Sequence, residues 1–593
     1  MTDNSFHIKR VSRAVRQVLG LSLLLPVAAS AVTPPPGAGT LDSQMRQAAP
    51  AVTLPALSTP ELTLPAAADG QAGAPADDGT RITLKHIMLT GDKPGGMARV
   101  SEGKIRKILD GYTGRPLSFG DLQELTSVLT GTYRSHGALL ARVIIPPQTI
   151  RDGLLTLTLL PGKYDTSRVS GGPAERDGVL INTVSRQSPE GDIITRQKLE
   201  RLALLVNEMP GVQGQVSLKT GSLPGTAAVD VVTRPGQKAG GYVGMDNLGT
   251  QVTGRSRVTG GAFVNGLFLT GDQLRFDGAL SYEKEGLTNA RAGYSLPAGG
   301  YGTRLGVDYS RLDYEYNFMQ QSFSGYSDNW EAWLTHPLIR TSGAQVNLHL
   351  AGGQSYLTDR YPGIFALLGE EGRKTVTTGT AGVVGSFATL PGGVTGLGLD
   401  ITRGDMHYRD DSARFWSGSD LRNTEGSFTT LNWQFRHEQQ VYGPVSLLAS
   451  AHGQVADRNL DSSQKLMLGG PSAVRAYDVG DGSVDSGVVA TGELRTRWAL
   501  PSWQWSGRAP ELTVSGFYDY GRGDQNRNNI RKNGQVLAEP NAVELAGAGM
   551  SVTLSDAGNY AVTATWARRT TGADPVSGNR DSERVWLSAV KTF

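Results

Sequence analysis

A single arginine stands in a segment that is otherwise rich in glycine and proline. The segment, GGPSAVRAYDVGDG, runs from Gly469 to Gly482, and its composition predicts a loop. Arg475 lies within it, two residues before a bulky aromatic, Tyr477. A guanidinium withdrawn from water needs a partner, and a carboxylate can bind it through two parallel hydrogen bonds. Arg475 is therefore either an ordinary surface residue or half of a buried ion pair, and the surrounding elements decide which.

Sequence motifs for catalysis are absent. The chain has no cysteine, which excludes thiolate catalysis, thiolate metal sites and disulfides. Its 8 histidines show no metal-ligand spacing such as H-E-x-x-H, and there is no nucleophile elbow, Walker A motif or dinucleotide fingerprint. We therefore predict no catalytic residue, no cofactor and no metal, and we expect that the protein is not an enzyme. The formal net charge of +2 gives no indication of a nucleic-acid partner.

From about residue 236 to the end, apolar and polar residues alternate. In QLRFDGALSY (273–282) and ELRTRWAL (493–500) the charges are confined to one face. Short turns alternate with long polar loops such as 409–427, and the last residue, Phe593, is aromatic. Periodicity alone fits a soluble sandwich as well, but these features favour a transmembrane antiparallel β-barrel. At about 22 residues for each strand and its connection, residues 236–593 accommodate about 16 strands.

The alternation identifies a partner for Arg475. In VSGFYDYGRG (514–523), Asp519 falls on the face that lines the lumen, together with Phe517 and Gly521. A loop that folds into a barrel could bring Arg475 to this carboxylate. The spacing therefore predicts an ion pair on the inner wall, although Asp519 could also be a simple polar residue at a strand end.

A smooth patch is predicted beside this carboxylate. In the next strand, LAGAGMSVTL (545–554), Gly547 and Gly549 occupy the inward face. Two glycines leave the wall without side chains there, which permits close approach by another segment. We expect the loop to lie against this patch, with Tyr477 packed beside the ion pair.

The N-terminus predicts export. A basic stretch (1–17) precedes a short apolar run that ends in Ala29-Ser30-Ala31, which is the pattern of a secretory signal peptide over residues 1–31. A membrane anchor helix is the alternative, but the run is too short to span a bilayer and contains Pro26. Residues 32–80 are rich in proline and alanine and predict a linker, with a possible short plug helix at 41–49.

Two small α+β units are predicted between the linker and the barrel, at 81–162 and 163–235. Residues 81–91 alternate and predict one strand, and the apolar spacing after Ser118 predicts a helix that this serine caps. Strands follow at 139–146 and 154–162. The second unit repeats part of this order, with an amphipathic helix at 194–211 followed by two strands.

These features together resemble the two-partner secretion transporters, the TpsB family of haemolysin and haemagglutinin secretion and activation. The segment VRAY, which comprises Val474, Arg475, Ala476 and Tyr477, resembles the loop motif of that family, and FYDYG (517–521) resembles its F-x-D-x-G strand motif. Residues 133–162 resemble the end of a first POTRA domain, and 245–255 resemble the first barrel strand. Ala476 departs from the glycine common in the wider superfamily, but the change leaves the arginine in place.

The resemblance implies an architecture and a function. The fold would be a transmembrane antiparallel β-barrel of about 16 strands behind two POTRA domains, at residues 81–162 and 163–235. The protein would lie in the outer membrane of a Gram-negative bacterium, with the POTRA domains in the periplasm. It would secrete one large β-rich exoprotein, of adhesin or haemolysin type, in an unfolded state.

The resemblance also implies partners. The POTRA domains would capture the exoprotein by strand addition, and the Arg475–Asp519 contact would hold the loop inside as a latch or a scaffold. The barrel would contact outer-membrane lipid, and the C-terminal strand, which ends in Phe593, would carry the signal for the barrel-assembly machinery.

Two other functions stay open at this point. An insertase of the same superfamily would place barrel proteins into the membrane, but such insertases generally carry more POTRA repeats than two. A passive porin would lack the POTRA-like units.

Overall fold

The computed structural model covers most of the chain downstream of the predicted signal peptide. The described residues are 36–48, 54–60, 62–63, 80–171, 176–283, 286–501, 509–531, 534–572, 574 and 581–593. The predicted signal peptide and part of the predicted linker lie outside them. No helix among the described residues is long and apolar enough to cross a membrane.

The linker region contains two short elements. Helix α1 spans Ala38–Ala48, so the helix predicted at 41–49 begins three residues earlier than expected. Strand β1 spans Leu62–Thr63.

The first α+β unit packs two helices on a small sheet. Its elements are β2 (Ile82–Thr83), β3 (His86–Thr90), α2 (Glu102–Asp110), β4 (Pro116–Leu117), α3 (Phe119–Ser135), β5 (Arg142–Ile144) and β6 (Leu154–Leu160). The main sheet has the order β3-β6-β5. Helix α3 begins where the sequence predicts because Ser118 and Asp121 each accept the backbone N–H of the other in a capping box.

The single strand predicted over 81–91 is wrong. The chain breaks between β2 and β3, where the N–H groups of Lys85 and His86 both donate to the Gly153 carbonyl oxygen, at 2.8 and 3.2 Å. Leu84 is buried, and Leu89 packs against the same core on the other side of the break. Strict alternation would place these two leucines on opposite faces, so the break lets both contribute to the core.

The second α+β unit has a four-stranded sheet. Its elements are β7 (Lys163–Ser170), α4 (Gly178–Gln187), α5 (Arg196–Asn207), β8 (Val212–Thr220) and β9 (Thr226–Pro235). The sheet order is β1-β8-β9-β7, so the linker strand β1 lies at its edge and pairs in parallel with β8, Leu62 opposite Val216. Helix α5 lies within the predicted range 194–211, and the Thr195 hydroxyl caps it.

A closed antiparallel barrel follows, as the sequence predicts. In the described part of the chain its strands number sixteen, β10–β20 and β23–β27, and β10 pairs with β27 to complete the closure. The strands are β10 (Ala239–Asp246), β11 (Arg257–Asn265), β12 (Gln273–Ser281), β13 (Gly286–Ala298), β14 (Thr303–Phe318), β15 (Gln321–Arg340), β16 (Ala344–Arg360), β17 (Glu371–Ala388), β18 (Gly393–Tyr408), β19 (Gly426–Tyr442), β20 (Val445–Ala456), β23 (Ser486–Ala499), β24 (Glu511–Asp524), β25 (Ala542–Asp556), β26 (Tyr560–Gly572) and β27 (Glu583–Thr592). Predicted lipid-facing residues such as Phe276, Val307 and Leu494 are exposed on the outer surface.

The first barrel strand lies earlier than expected. The sequence places it at 245–255, but β10 ends at Asp246, and residues 247–256 form the connection to β11. The sequence AGGYVGMD of β10 carries three glycines, so it lacks the clean alternation of larger side chains that reveals the other strands.

Two segments fill the lumen. Helix α1 packs Leu41 into a core formed by inward residues of β13–β20, including Leu312 and Tyr408. The connection from β20 to β23, residues 457–485, also lies inside, and we call it the inward loop. It contains a small two-stranded sheet, β21 (Leu466–Met467) and β22 (Ser483–Val484).

The second α+β unit docks on the turns at one end of the barrel. Arg340, at the end of β15, binds Glu208 at 2.9 Å, and Glu200 accepts the backbone N–H of Ser342 at 3.1 Å. The Gln187 amide donates to the Gly300 carbonyl oxygen at 3.0 Å. This unit directly precedes β10 in the chain, so it lies at the end of the barrel where β10 begins.

Candidate functional site in the barrel lumen

The structure brings Arg475 and Asp519 together on the inner wall. The guanidinium binds the carboxylate in a two-pronged arrangement, Nε to Oδ2 at 2.9 Å and Nη2 to Oδ1 at 2.8 Å. The backbone N–H of Arg475 also donates to Oδ2, at 3.1 Å. Asp519 is fully buried and the Arg475 side chain is 15% exposed. A charge-assisted, bidentate pair in this setting fixes both the position and the orientation of the loop tip.

Three further side chains complete the surroundings of this pair. The Thr491 hydroxyl donates to Asp519 Oδ1 at 2.9 Å. Glu493 accepts from Arg475 Nη1 at 3.3 Å. The Arg475 guanidinium carbon lies 3.2 Å from the centre of the Phe517 ring, which places the cation over the ring face. The guanidinium therefore contacts two carboxylates and one aromatic ring, and these interactions offset the free-energy cost of removing its charge from water.

Residues Val474 and Ala476, which flank the arginine, lie against glycines of the wall. A Cβ at Gly521 would stand 3.0 Å from Cγ2 of Val474, and a Cβ at Gly547 would stand 2.4 Å from Cβ of Ala476. The predicted close approach of the loop therefore occurs at Gly547. It depends on the absence of a side chain there, because 2.4 Å is too short for two carbon atoms that are not bonded.

Strands β26 and β27 hold Tyr477 and the backbone of Arg475. The Tyr477 hydroxyl donates to the Thr571 carbonyl oxygen at 3.2 Å, and the Arg569 guanidinium lies 4.7 Å from the Tyr477 ring centre. Burial raises the pKa of Tyr477, so its hydroxyl stays protonated as a donor. The Trp586 indole N–H donates to the Arg475 carbonyl oxygen at 2.7 Å.

Two of the predicted residues lie away from the ion pair. Gly549 makes room for the Phe517 ring rather than for the loop, since a Cβ there would stand 2.6 Å from the ring. Phe593 pairs with Gly241 of β10, each N–H donating to the other carbonyl oxygen at 3.0 Å, and its ring is exposed on the outside of the barrel.

Helix α1 is hydrogen-bonded to the base of the inward loop. The Gln47 side chain donates to the Lys465 carbonyl oxygen at 2.8 Å and accepts the Met467 N–H at 3.0 Å. Arg46 donates to the Ser463 carbonyl oxygen at 2.9 Å. Helix α1 and the inward loop therefore share an interface inside the lumen.

The wall also holds α1 by polar contacts. Asp42 accepts hydrogen bonds from Ser327 at 2.9 Å and Asn329 at 2.8 Å. At the first residue of the helix, the Ala38 N–H donates to the Asp359 carboxylate at 2.6 Å, which places a negative charge at the helix N-terminus. Polar contacts with the wall therefore add to the apolar packing of Leu41 in holding α1 inside the lumen.

Two buried ion pairs anchor the base of the inward loop. Lys374 of β17 binds both oxygens of Asp461 at 2.9 Å, and Lys465 binds Asp485 at 2.7 Å. Burial raises the pKa of Asp461, but the Lys374 ammonium and hydrogen bonds from Ser463 outweigh it and lower this pKa to about 2.

Several contact residues were not selected from the sequence. Glu493 lies on the polar face of 493–500, and the alternation of that segment predicts that it faces inward. Nothing in the sequence identifies it as a partner of Arg475. Trp586 and Arg569 carry no signal of their own. Asp478 directly follows the VRAY motif, and this position is the one sequence feature that could have drawn attention to it.

Among the described residues, no cluster of three or more histidine, aspartate or glutamate side chains is placed to hold a metal ion. The lumen contains helix α1 and the inward loop, both held to the wall by polar contacts.

Comparison with known families matches two parts of the chain. Residues 225–554 match the family described as haemolysin secretion/activation protein ShlB/FhaC/HecB. Residues 82–162 match the POTRA domain of ShlB type.

Curated relatives and solved structures agree with these matches. The heme/hemopexin transporter protein HuxB of Haemophilus influenzae is 31% identical over 519 residues, which cover 87% of this chain and 88% of the relative. The outer membrane transporter CdiB of Dickeya dadantii is 25% identical and covers 66% of this chain and 69% of the relative. The structure of CdiB from Escherichia coli superimposes with a TM-score of 0.69 at 20% identity, covering 94% of this chain and 96% of that structure. This superposition shows the shared fold.

Proposed function

The chain belongs to the ShlB/FhaC/HecB family of haemolysin secretion/activation proteins, and we propose that it secretes one large β-rich exoprotein of adhesin or haemolysin type. As a member of this family it is a two-partner secretion pore of the outer membrane, with its POTRA domains in the periplasm. The further proposal is that the exoprotein crosses in an unfolded state and folds outside. No nucleotide is available in the periplasm, so folding at the surface would supply the direction of transport.

The observation that carries the proposal is the occupied lumen. A passive porin keeps a water-filled channel, whereas here α1 and the inward loop fill the barrel and are tied to its wall. A pore that is closed at rest and that can be cleared by moving two of its own segments fits the export of a single partner.

We place exoprotein capture at the sheet edges of the POTRA domains. The β8 edge already accepts an added strand, since β1 pairs with it in parallel at Val216 and Ser217. Strand β8 spans nine residues, so a longer extended segment could pair along more of it. The edge offers backbone hydrogen bonds, which an unfolded chain can satisfy with little sequence requirement.

Two further partners are part of the proposal. The apolar outer face of the barrel would contact outer-membrane lipid. The C-terminal strand would be recognised by the barrel-assembly machinery during insertion, and the exposed ring of Phe593 at the chain end is the feature that supports this role.

The test is secretion of the cognate exoprotein, encoded beside this chain, in strains with and without it. We expect the exoprotein in the medium in the complemented strain and its loss from the medium in the deletion strain. The levels of other outer-membrane barrels should be equal in both strains, because an insertase would change them. Unchanged secretion in the deletion strain would overturn the proposal.

A further inference from the structure

The tip of the inward loop crosses the wall from strand to strand. Arg475 binds Asp519 on β24, Ala476 lies on Gly547 of β25, and Tyr477 reaches β26. The next residue, Asp478, contacts β27. Successive residues of the loop therefore contact successive strands, and the path ends where the barrel closes.

Asp478 binds arginines on both sides of this closure. Arg584 of β27 binds its carboxylate through a bidentate pair of hydrogen bonds, Nε to Oδ1 at 2.9 Å and Nη2 to Oδ2 at 3.1 Å. Arg255, in the connection between β10 and β11, donates Nη2 to Oδ2 at 3.2 Å. The side chains of Asp478 and Arg584 are 4% and 7% exposed. One loop carboxylate thus joins the last strand to the first hairpin.

The seam between β10 and β27 is short. Across it, the described strands pair at five positions, from Tyr242 opposite Thr592 to Asp246 opposite Ser588. The adjacent pair β26–β27 is matched at nine positions, and β24–β25, further round the barrel, at fourteen. Fewer backbone hydrogen bonds hold the seam, so contacts from elsewhere contribute a larger share of its stability.

Beyond Asp246 the seam continues through the backbone and the side chain of Asn247. The Asn247 N–H donates to the Leu587 carbonyl oxygen at 3.1 Å, its side-chain carbonyl accepts the Leu587 N–H at 2.7 Å, and its amide donates to the Val585 carbonyl oxygen at 2.9 Å. One asparagine therefore closes the seam after the strand β10 has ended. The ion pairs of Asp478 lie at this same end of the seam, next to Val585.

We propose that Asp478 clamps the barrel seam, so that the seam is fully closed while the inward loop is in place. The loop that carries Arg475 then does two things at once, because withdrawing its tip removes the carboxylate that neutralises Arg584 and Arg255. Two arginines left close together without that carboxylate repel each other. By linkage, a state with the loop withdrawn is a state with a weaker seam, and a weaker seam favours withdrawal of the loop.

The experiment measures backbone hydrogen exchange of the full chain in lipid nanodiscs. In Asp478→Asn we expect exchange at 242–246 and 586–592 to accelerate at least about tenfold, with little change at interior strand pairs such as β16–β17. The matched control is Asp400→Asn, an inward-facing aspartate of β18 on the wall away from the seam, which takes no part in anchoring the inward loop. This control should leave exchange at the seam unchanged.

A second set of variants distinguishes loss of the Asp478–Arg584 contact from a general destabilisation of the barrel. Arg584→Gln should accelerate seam exchange as well, and the double variant with Asp478→Asn should add little, because both remove the same contact. The chain contains no cysteine, so a seam disulfide can be introduced cleanly with Met245→Cys and Ala589→Cys, which face each other across the seam. In the Asp478→Asn background this disulfide should restore slow exchange.

Three results would overturn the clamp. Seam exchange in Asp478→Asn could match the wild type, Asp400→Asn could accelerate it equally, or the effects of Asp478→Asn and Arg584→Gln could add in full. None of these readouts depends on export, so they test the clamp whether or not the proposed cargo is correct.

Discussion

The Cβ of Ala476 lies 2.4 Å from the position that a Cβ of Gly547 would occupy. The loop tip and β25 therefore meet with no room for a methyl group on the strand. We predict that Gly547→Ala displaces the tip and destabilises its docked position by about 1–3 kcal/mol, as overpacking does elsewhere. Protease cleavage within 457–485 in the purified barrel should become several-fold faster.

The loop side of the same contact provides the control for this prediction. Adding Ala476→Gly to Gly547→Ala removes one of the two clashing atoms and should recover much of the protection. Recovery will be partial, because the Arg568 carbonyl oxygen lies 3.2 Å from the new Cβ. Gly516→Ala on β24, where a Cβ meets nothing within 4 Å, should behave as wild type. Equal cleavage in Gly547→Ala and Gly516→Ala would contradict the close contact.

Helix α1 should leave the lumen more readily when Asp42 is removed. Its carboxylate accepts hydrogen bonds from Ser327 and Asn329, and each hydrogen bond to a charged group contributes about 1.5–3 kcal/mol. In planar bilayers, Asp42→Ala should therefore raise the open fraction of the channel at least about tenfold. Asp411→Ala, at an exposed side chain outside the lumen, is the control. An unchanged open fraction would show that α1 does not close the pore.

The sequence predicts the features that repeat. Alternation of side chains reveals the barrel, because each strand must satisfy lipid on one face and the lumen on the other. The same alternation assigns Asp519 and Gly547 to the inner wall, where the structure places them. The helix after Ser118 is also predictable, since its cap is local in the chain.

Contacts between distant segments carry no such signal. Asp478 and Arg584 are separated by 106 positions, and neither lies in a periodic pattern that points to the other. The break at Lys85 could not be predicted, because the acceptor of its hydrogen bond, the Gly153 carbonyl oxygen, comes from a distant part of the unit. The position of strand β10 could not be predicted either, because its three glycines leave no clear alternation of apolar and polar side chains.

The base of the inward loop should weaken in acid. The pKa of Asp461 is lowered to about 2 in the folded protein, below the value of about 3.9 that an unfolded chain shows. A depressed folded-state pKa contributes stability that is complete above the unfolded value and is lost as the pH falls through the folded value. The difference in unfolding temperature between wild type and Asp461→Asn should therefore be largest above pH 4 and shrink towards pH 2. A difference that stays constant over this range would contradict the assigned ion pair.

Docking of the second α+β unit on the barrel should depend on Glu208. Its carboxylate binds Arg340, which is buried at the end of β15, and Glu208→Gln leaves that charge with a weaker partner. Because the Glu208 side chain is 39% exposed, the expected loss is modest, about 1 kcal/mol. Hydrogen exchange in α5 and the turn at 341–343 should increase, while Glu190→Gln at an exposed position should have no effect. Identical exchange in the two variants would mean that this ion pair does not hold the domain.

The most direct test of the central claim is export by Asp519→Asn. Removing one charge of a buried pair costs about 3–5 kcal/mol, enough to release the loop tip from the wall. Asp400→Asn, an inward-facing aspartate on β18 that does not contact the inward loop, is the matched control. With equal amounts of folded barrel in the outer membrane, Asp519→Asn should lower the exoprotein in the medium at least about tenfold, and Asp400→Asn should leave it near the wild-type level. Wild-type export by Asp519→Asn would contradict the proposal that the Arg475–Asp519 contact holds the loop as a latch or a scaffold that secretion needs.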